Sequence, residues 1–274
     1  MHCPSDSPTV ALSRRALAKA AVGLAVAGFH AGSGQWVAAA GERPDDPFAR
    51  IPRLDGTLLV DAASRQAAGQ DFGQLVFEPP AAVLRPGSVD DIARMLRFAR
   101  RHGIRVVGRG AAHTTFGQAQ HAAGIAIDLT SLATIGGITD GTVTVDAGCR
   151  WRDVLAATLA AGLMPPVLPD YIGQTVGGTL SVGGIGAMSF RDGAQIDHVV
   201  ALRAVTGDGR VVVCSEDRHR DLFEALLAGQ GQVGIIVEAT LRLVPAPTTV
   251  RVYDLLYPDL AALLGDLALL AEDR

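Results

Sequence analysis

Residues 104–118 read IRVVGRGAAHTTFGQ, and the architecture of the chain can be built outward from them. They join an apolar run typical of a β-strand, residues 104–107, to a loop of small residues. In such a loop, backbone amides can face a diphosphate, with hydroxyl and amide side chains as further donors. The loop contains His113, although a loop imidazole is most often just hydrogen-bonded to its neighbours. The stretch therefore predicts a strand that carries a ligand-binding loop.

The segment before this loop predicts a strand–helix–strand unit over residues 82–108. Residues 82–85, AVLR, are typical of a short strand, and a Pro-Gly pair follows. Ser88 and Asp91 have the spacing of a helix N-cap pair. The apolar residues behind them recur at helical spacing and define one buried face: Ile92, Met95, Leu96 and Ala99. His102-Gly103 ends the helix, so the next strand runs directly into the loop.

Downstream patterns predict a mixed α+β fold. Strands are expected at residues 124–129 and 143–147, followed by a helix from Trp151. Its inward face is expected to hold Val154, Leu155, Thr158 and Leu159. A hairpin is predicted around Asp208-Gly209, between strands 199–206 and 210–214. A helix that carries Leu222, Phe223, Leu226 and Leu227 then leads into a strand at 235–244.

The last helical pattern, over residues 260–270, has leucines along one side. An amphipathic helix needs a surface to cover. This helix either folds back on the domain or begins a second domain that the sequence lacks.

Two further glycine-rich stretches are candidate ligand loops. Residues 229–234, GQGQVG, match the dinucleotide fingerprint G-x-G-x-x-G, but they follow a predicted helix and precede a predicted strand. That order is the reverse of a Rossmann site and argues against one. Residues 170–186, DYIGQTVGGTLSVGGIG, predict a ribbon that lies along a flat or extended ligand. Asp170 begins this ribbon, where an aspartate is usually a turn former or a cap.

Composition excludes several classes of protein. The chain has 274 residues, 49% of them hydrophobic, which is enough for a buried core. Only 19% are charged and the net charge is −4, so no basic field attracts nucleic acid. We predict no metal site. Cys149 and Cys214 lie in apolar stretches and are expected to be small core side chains, although an exported protein could form one disulfide.

The N-terminus has the pattern of a twin-arginine signal peptide over residues 1–40. Arg14-Arg15 precede a small-residue apolar run at 20–29, and three alanines precede Gly41. The run has about half of the roughly 20 residues that a membrane span needs, so no stable span is expected. The pattern predicts a periplasmic or secreted protein, with residues 41–56 as a linker. The alternative is a short basic helix rich in alanine.

Taken together, the loops resemble the FAD-binding domain of the vanillyl-alcohol-oxidase and para-cresol-methylhydroxylase (PCMH-type) flavoproteins, and among these the cytokinin dehydrogenases. The resemblance covers roughly residues 54–247. Its motifs are residues 71–73, 82–86, the His113 loop, 128–132, 170–181, 190–193, 221–223 and 231–236. It implies a PCMH-type domain of two α/β subdomains over 57–247. Residues 248–274 would begin a substrate domain that is otherwise missing.

The resemblance also implies site residues. The histidine at the position of His113 bonds covalently to the 8α-methyl group of FAD, since a ring nitrogen can add to the electrophilic quinone-methide form of the flavin. Asp170 matches the catalytic aspartate, which accepts the substrate N–H proton as hydride leaves for the flavin. The cofactor would be lined on one side by Gly108, Gly110, Ala111, Ala112, Thr114 and Gln118. On the other side would lie Thr175, Ser181, Ile185 and Ile235 or Ile236.

Two residues depart from the family pattern: Ala112 stands where glycine is usual, and Thr114 replaces a serine but keeps the hydroxyl. The implied reaction is oxidation of a C–N bond in an N6-isoprenoid adenine. A quinone-like acceptor or oxygen would then reoxidise the FAD. Two alternatives stay open. The chain could serve an oxidase of an alcohol or sugar, or be a non-catalytic or split flavin-binding subunit that needs a C-terminal partner.

Overall fold

The computed structural model of the protein describes residues 51–272, together with 27–30, 35–38 and 48. The other residues expected to form the signal peptide and the linker lie outside the described residues. Two short strands, β1 (Ala27–His30) and β2 (Gln35–Ala38), pair antiparallel. They belong to a unit that ends at Ile51, and the second unit, Pro52–Arg274, contains all the elements that follow.

A four-stranded sheet comes first in the second unit. Its strands are β3 (Thr57–Leu59), β4 (Ala82–Arg85), β5 (Val106–Arg109) and β6 (Ile125–Asp128), in the order β3-β4-β6-β5. Strands β4, β6 and β5 are parallel, whereas β3 is an antiparallel edge strand. Its helices are α1 (Ala62–Ala68) and α2 (Val89–Arg101). The strand–helix–strand prediction is confirmed, although β5 begins at Val106 rather than at residue 104.

Helix α2 begins and packs as its sequence predicts. The Ser88 side chain accepts a hydrogen bond from the Asp91 amide, and Ile92 and Met95 are fully buried. Asp91 is itself buried, and its carboxylate accepts backbone amides of Asp55, Gly56 and Gly87 at 2.7–2.9 Å. These bonds tie the start of the unit to the beginning of the helix. Because the buried charge is satisfied, it stabilises this connection.

A five-stranded antiparallel sheet forms the other half of the unit. The remaining strands are β7 (Ile135–Thr139), β8 (Thr142–Asp146), β9 (Leu163–Met164), β10 (Val199–Thr206), β11 (Val211–Ser215), β12 (Gly234–Arg242) and β13 (Val244–Pro245). The sheet order is β11-β10-β12-β8-β7, and β9 pairs with β13. Strands β10 and β11 form the predicted hairpin, with Val205 opposite Val211. The mixed α/β composition is consistent with the predicted α+β class.

Short helices cover this second sheet. They are α3 (Trp151–Leu159), α4 (Val176–Leu180), α5 (Ser189–Asp192) and α6 (Arg220–Leu226), with a 3-10 turn at Gln195–His198. A second 3-10 turn, Leu129–Ser131, contacts β4 and β5 of the first sheet. The main core lies between α3, α4, α6 and the sheet, and both cysteines are buried in it as free thiols. The prediction of core cysteines is therefore confirmed.

This half differs from the predicted elements in three places. Residues 176–180 form helix α4, which was not predicted within the glycine-rich ribbon; Val176 and Leu180, four residues apart, both enter the core. The Trp151 indole N–H also donates to Thr179 Oγ1 at 2.8 Å, which ties α4 to α3. Leu159 is 47% exposed because α3 ends there and turns its last residue outward. Strand Ile135–Thr139 has no counterpart in the predicted elements.

The GQGQVG stretch follows α6 and ends where β12 begins, at Gly234. This order confirms that it is not a Rossmann fingerprint. The last helix, α7 (Leu260–Glu272), has no buried residue, so it does not fold back on the domain. Within the described residues, we find no helix with the length and apolar character needed to cross a membrane.

Candidate functional site

The loop that carries His113 leaves the parallel sheet at the end of β5 and is fastened to the segment Asp71–Gly73. The Phe72 amide donates to Ala112 O at 2.9 Å, and the Gly73 amide donates to Thr114 O at 3.0 Å. A side chain at Gly73 would overlap the backbone of Thr115, so only glycine permits this approach. The two segments therefore form one paired unit.

Asp71 strengthens the same pairing with its side chain. Its Oδ2 atom accepts the Thr114 hydroxyl at 2.7 Å and the Gly117 amide at 2.9 Å, and Oδ1 accepts the Gln74 amide at 3.2 Å. Asp71 is only 6% exposed. Burial raises the pKa of this carboxyl, but the hydrogen bonds outweigh burial and leave the pKa below its ordinary value. Asp71 is thus an ionised anchor of the loop.

The imidazole of His113 lies between two aromatic rings. The Phe72 ring stacks on it with centroids 4.2 Å apart and an interplanar angle of 15°. The Tyr171 ring stacks at 4.8 Å and 24°. The Nδ1 atom of His113 lies 3.0 Å from Nε2 of the Gln174 side chain. The imidazole is therefore held by three side chains from two separate segments.

The backbone around His113 leaves donors available to a ligand. Within the described part of the chain, no atom accepts a hydrogen bond from the amides of residues 111–115. Ala112 has a φ of 54°, in the left-handed region that costs an L-residue energy. This conformation explains why glycine is usual at this position in the family. The methyl group of Ala112 adds strain to the loop but does not prevent the conformation. Consecutive free amides beside a left-handed residue are a common anion-binding arrangement.

The second glycine-rich stretch lies directly against the His113 loop. A side chain at Gly110 would overlap the hydroxyl of Thr175, so these two segments touch at that point. Thr175 is buried and precedes helix α4. Ser181, at the end of α4, donates its hydroxyl to Gly177 O at 2.7 Å, and its carbonyl accepts the Gln230 amide at 2.7 Å. Thr175 therefore reaches the His113 loop, whereas Ser181 connects α4 to the GQGQVG loop.

A small cleft of about 130 Å³ separates the two sheets next to β5. Gly108 and Ile235 both line it, and a side chain at Gly108 would lie 3.6 Å from Ile235. Ile236 points to the opposite face of β12 and belongs to the hydrophobic core. Of the two isoleucines left open by the sequence, only Ile235 can contact a ligand in this cleft, because successive side chains of a strand face opposite sides.

The remaining predicted site residues are more exposed. Asp170 is exposed and directly precedes Tyr171, the residue that stacks on His113. Gln118 is exposed, and its side-chain oxygen accepts the Phe116 amide at 3.0 Å. Ile185 is 77% exposed. The loop residues Ala111, Ala112 and Thr114 are partly buried near His113. The structure thus groups the His113 loop, Thr175 and Ile235 near the end of β5 and places Ser181 at the GQGQVG loop and Ile236 in the core. It leaves Asp170, Gln118 and Ile185 open to solvent.

Phe72, Tyr171 and Gln174 contact His113, yet no sequence argument assigned them to the site. Phe72 occurs in the motif 71–73, and Tyr171 and Gln174 occur in the motif 170–181, both of which resemble the flavoprotein family; that was the available signal. It did not show that these side chains meet His113, because Gln174 is 61 residues from His113 in the sequence. Among the described residues, no group of His, Cys, Asp and Glu side chains is arranged to hold a metal ion.

Comparison with known families identifies this part of the fold. A family model for an FAD binding domain matches residues 80–215, which include β4, α2, β5, the His113 loop, α4 and the β10–β11 hairpin. The chain contains an FAD-binding domain of this family. The resemblance to this flavoprotein domain is confirmed, and the family implies FAD as the cofactor.

Several proteins that are named as oxidoreductases or dehydrogenases are similar to this chain. An uncharacterized oxidoreductase from the fasciation locus of Rhodococcoides fascians is 42% identical over 78% of this chain and 49% of its own length. Cytokinin dehydrogenase 7 of Oryza sativa subsp. japonica is 42% identical over 87% of this chain and 47% of its own length. Cytokinin dehydrogenase 4 of Arabidopsis thaliana is 39% identical over 78% and 44%, respectively. The chain spans about half the length of these relatives.

The residues of the FAD-binding domain fit the cofactor. The free amides of residues 111–115 can donate to a diphosphate, and the cleft beside Gly108 is lined largely by backbone and apolar side chains. The cleft is smaller than the roughly 300–1,000 Å³ of a complete ligand pocket, so it can hold only a part of FAD. The His113 loop therefore offers donors of the kind that a diphosphate needs, and Gly108 and Ile235 line the cleft beside it.

Proposed function

We propose that this chain is the FAD-binding part of an FAD-dependent oxidoreductase of the cytokinin dehydrogenase type, with FAD bonded covalently to His113. The observation that supports this proposal most strongly is the His113 loop, with its free amides and its clamped imidazole at the end of β5. FAD supplies the two-electron chemistry when bound. The protein binds the diphosphate, orients the imidazole and limits the access of water to it.

The substrate proposed for the complete enzyme is an N6-isoprenoid adenine. Relatives about 40% identical to this chain are named cytokinin dehydrogenases, which favours oxidation of a C–N bond over oxidation of an alcohol or sugar. Asp170 would accept the substrate N–H proton, since it is exposed and adjoins the residue stacked on His113. A quinone-like compound or oxygen would accept the electrons.

Covalent attachment is tested on a denaturing gel viewed under ultraviolet light in acid. We expect a fluorescent band from the purified chain and none from His113→Ala. The matched control is His102→Ala, at the exposed end of α2. If the wild-type flavin is released completely by acid precipitation, the covalent bond does not form.

The catalytic proposal has a separate test. Isopentenyl adenine added without oxygen should bleach the flavin of the chain, and Asp170→Asn should slow this reaction by about 100-fold or more, the usual contribution of a positioned base. If the flavin of Asp170→Asn bleaches as fast as that of the wild type, Asp170 is not the base.

A second candidate function is a flavin-holding subunit that works only with a further polypeptide. The exposed leucines of α7 favour this candidate, since Leu260, Leu264 and Leu270 are each more than half exposed. It predicts that the chain binds FAD but does not bleach with any reductant tested. Rapid bleaching with isopentenyl adenine would rule it out.

We also propose export by the twin-arginine route, on the basis of Arg14-Arg15 and the apolar run behind them. A reporter fused after residue 60 should reach the periplasm of a bacterial host. Replacement of both arginines by lysine should retain it in the cytoplasm. Unchanged export of the lysine variant would contradict this route.

A further inference from the structure

Two rings enclose the imidazole of His113. Phe72 and Tyr171 both lie nearly parallel to it, at centroid distances of 4.2 and 4.8 Å. Two parallel rings cannot share one face of an imidazole, so they cover its opposite faces. Stacking at this spacing contributes to fixing the ring plane. The remaining freedom of His113 is a half-turn about its Cβ–Cγ bond, which keeps the ring plane but exchanges the positions of Nδ1 and Cδ2.

Gln174 restricts this remaining freedom. Its side-chain nitrogen lies 3.0 Å from Nδ1 of His113. An amide nitrogen only donates hydrogen bonds, so Nδ1 is the acceptor in this arrangement; it carries the lone pair, and Nε2 carries the ring proton. The ring nitrogen with the lone pair is the nucleophilic one. The contact therefore favours one orientation of the ring and one tautomer, in which Nδ1 is the nucleophile.

The turn that carries Tyr171 and Gln174 is itself held in place. The Trp151 amide donates to Gln174 O at 3.0 Å, and the Arg150 guanidinium donates to Gly173 O at 2.9 Å. A side chain at Gly173 would collide with the Tyr171 ring, so glycine lets this ring fold over the turn. One anchored turn thus delivers both the ring and the amide to His113.

We propose that Gln174 is a positioning residue that, with Phe72 and Tyr171, holds His113 in the orientation and tautomer from which Nδ1 bonds to FAD. This inference rests on the proposed covalent bond. In that step the hydrogen bond from Gln174 to Nδ1 breaks and a C–N bond forms between Nδ1 and the 8α-methyl carbon. One methyl C–H bond and the imidazole N–H bond break, and dioxygen takes the two hydrogens and two electrons as hydrogen peroxide.

Other charged or titratable groups near His113 are accounted for. Asp71 is bonded to Thr114 and Gly117, and Arg150 to the carbonyl of Gly173. Asp170 is exposed, and Tyr171 presents its ring face to His113. Gln174 is therefore the polar side chain of this turn that contacts a ring nitrogen, and its replacement should act on His113 directly.

The test uses the full chain produced in the absence of flavin and two variants produced in the same way, Gln174→Leu and Gln174→Glu. Gln66→Leu, on the exposed side of α1, is the matched control. NMR follows the titration of the His113 imidazole. A timed gel follows fluorescent band formation after FAD is added, at several pH values, and non-covalent affinity is measured by flavin fluorescence before the bond forms.

We expect the His113 imidazole of Gln174→Glu to lose its proton at a higher pH than that of the wild type, because a carboxylate favours the cation. The pH profile of bond formation should move with it. Gln174→Leu should slow bond formation about fivefold, the effect of losing one hydrogen bond of about 1 kcal/mol, without weakening FAD binding. The Gln66→Leu control should match the wild type.

The outcomes separate this inference from the proposed function. An identical titration midpoint and identical band formation in all four proteins would overturn the role of Gln174. If the His113 titration responds to Gln174→Glu but the wild type forms no covalent band, the contact of Gln174 with His113 is supported and the covalent bond is refuted. A variant that loses FAD affinity in parallel with bond formation would make Gln174 a structural residue and overturn the positioning role.

Discussion

Replacing Asp71 by asparagine should loosen the His113 loop without changing the size of the side chain. The two carboxylate oxygens accept three hydrogen bonds, from the Thr114 hydroxyl and the amides of Gly117 and Gln74. Asparagine has one oxygen, so in either orientation its NH₂ group faces at least one backbone N–H. A buried donor left without an acceptor costs about 1–3 kcal/mol. We therefore expect a loss of about 2 kcal/mol in the free energy of unfolding.

This loss corresponds to a decrease in Tm of about 4–8 °C for a unit of this length. Thermal unfolding followed by circular dichroism, in flavin-free protein at pH 7, measures it. Asp217→Asn, at an exposed turn position, is the control. Because Phe72 follows Asp71 directly, bond formation between His113 and FAD should also slow. A Tm within about 1 °C of the control would refute the anchoring role.

Three further results are expected. Ala112→Gly should stabilise the protein by about 1 kcal/mol, measured by urea unfolding, because φ is 54° at this residue and glycine adopts that conformation freely; lower stability of the variant would contradict the strain. Burial raises the pKa of the Asp91 carboxyl, but its hydrogen bonds outweigh burial and leave the pKa below its ordinary value, as for Asp71. The ionised carboxylates therefore stabilise the folded state fully above the unfolded pKa of about 4. This contribution is lost as pH falls through the lower pKa of the folded state. Between pH 7 and pH 3 the free energy of unfolding, measured in urea, should therefore fall less in Asp91→Asn than in the wild type. An equal fall in both proteins would contradict the lowered pKa of Asp91. Burial raises the pKa of the Cys149 thiol to about 11, so iodoacetamide at pH 8 should modify it only after unfolding; rapid labelling of native protein would show that the core opens there.

The elements predicted correctly are those specified by neighbouring residues. The helix cap at Ser88, the spacing of Ile92 and Met95 and the Asp208-Gly209 turn all act over a few residues, so their patterns can be recognised in the sequence. The same local reasoning excluded a Rossmann site at residues 229–234, since the order of helix and strand is local information. The family resemblance also pointed to the His113 loop before any contact was known.

The tertiary structure alone brought together the surroundings of His113. Asp71 lies 43 residues from Thr114 in the sequence, and Gln174 lies 61 residues from His113. No local pattern encodes such contacts, because the first arises when the segment before β4 packs on the loop after β5, and the second when that loop meets the turn before α4. The register of β12 likewise decided that Ile235 faces the cleft and Ile236 the core. The sequence determined the elements and the candidate loop, whereas long-range packing determined which side chains hold the imidazole.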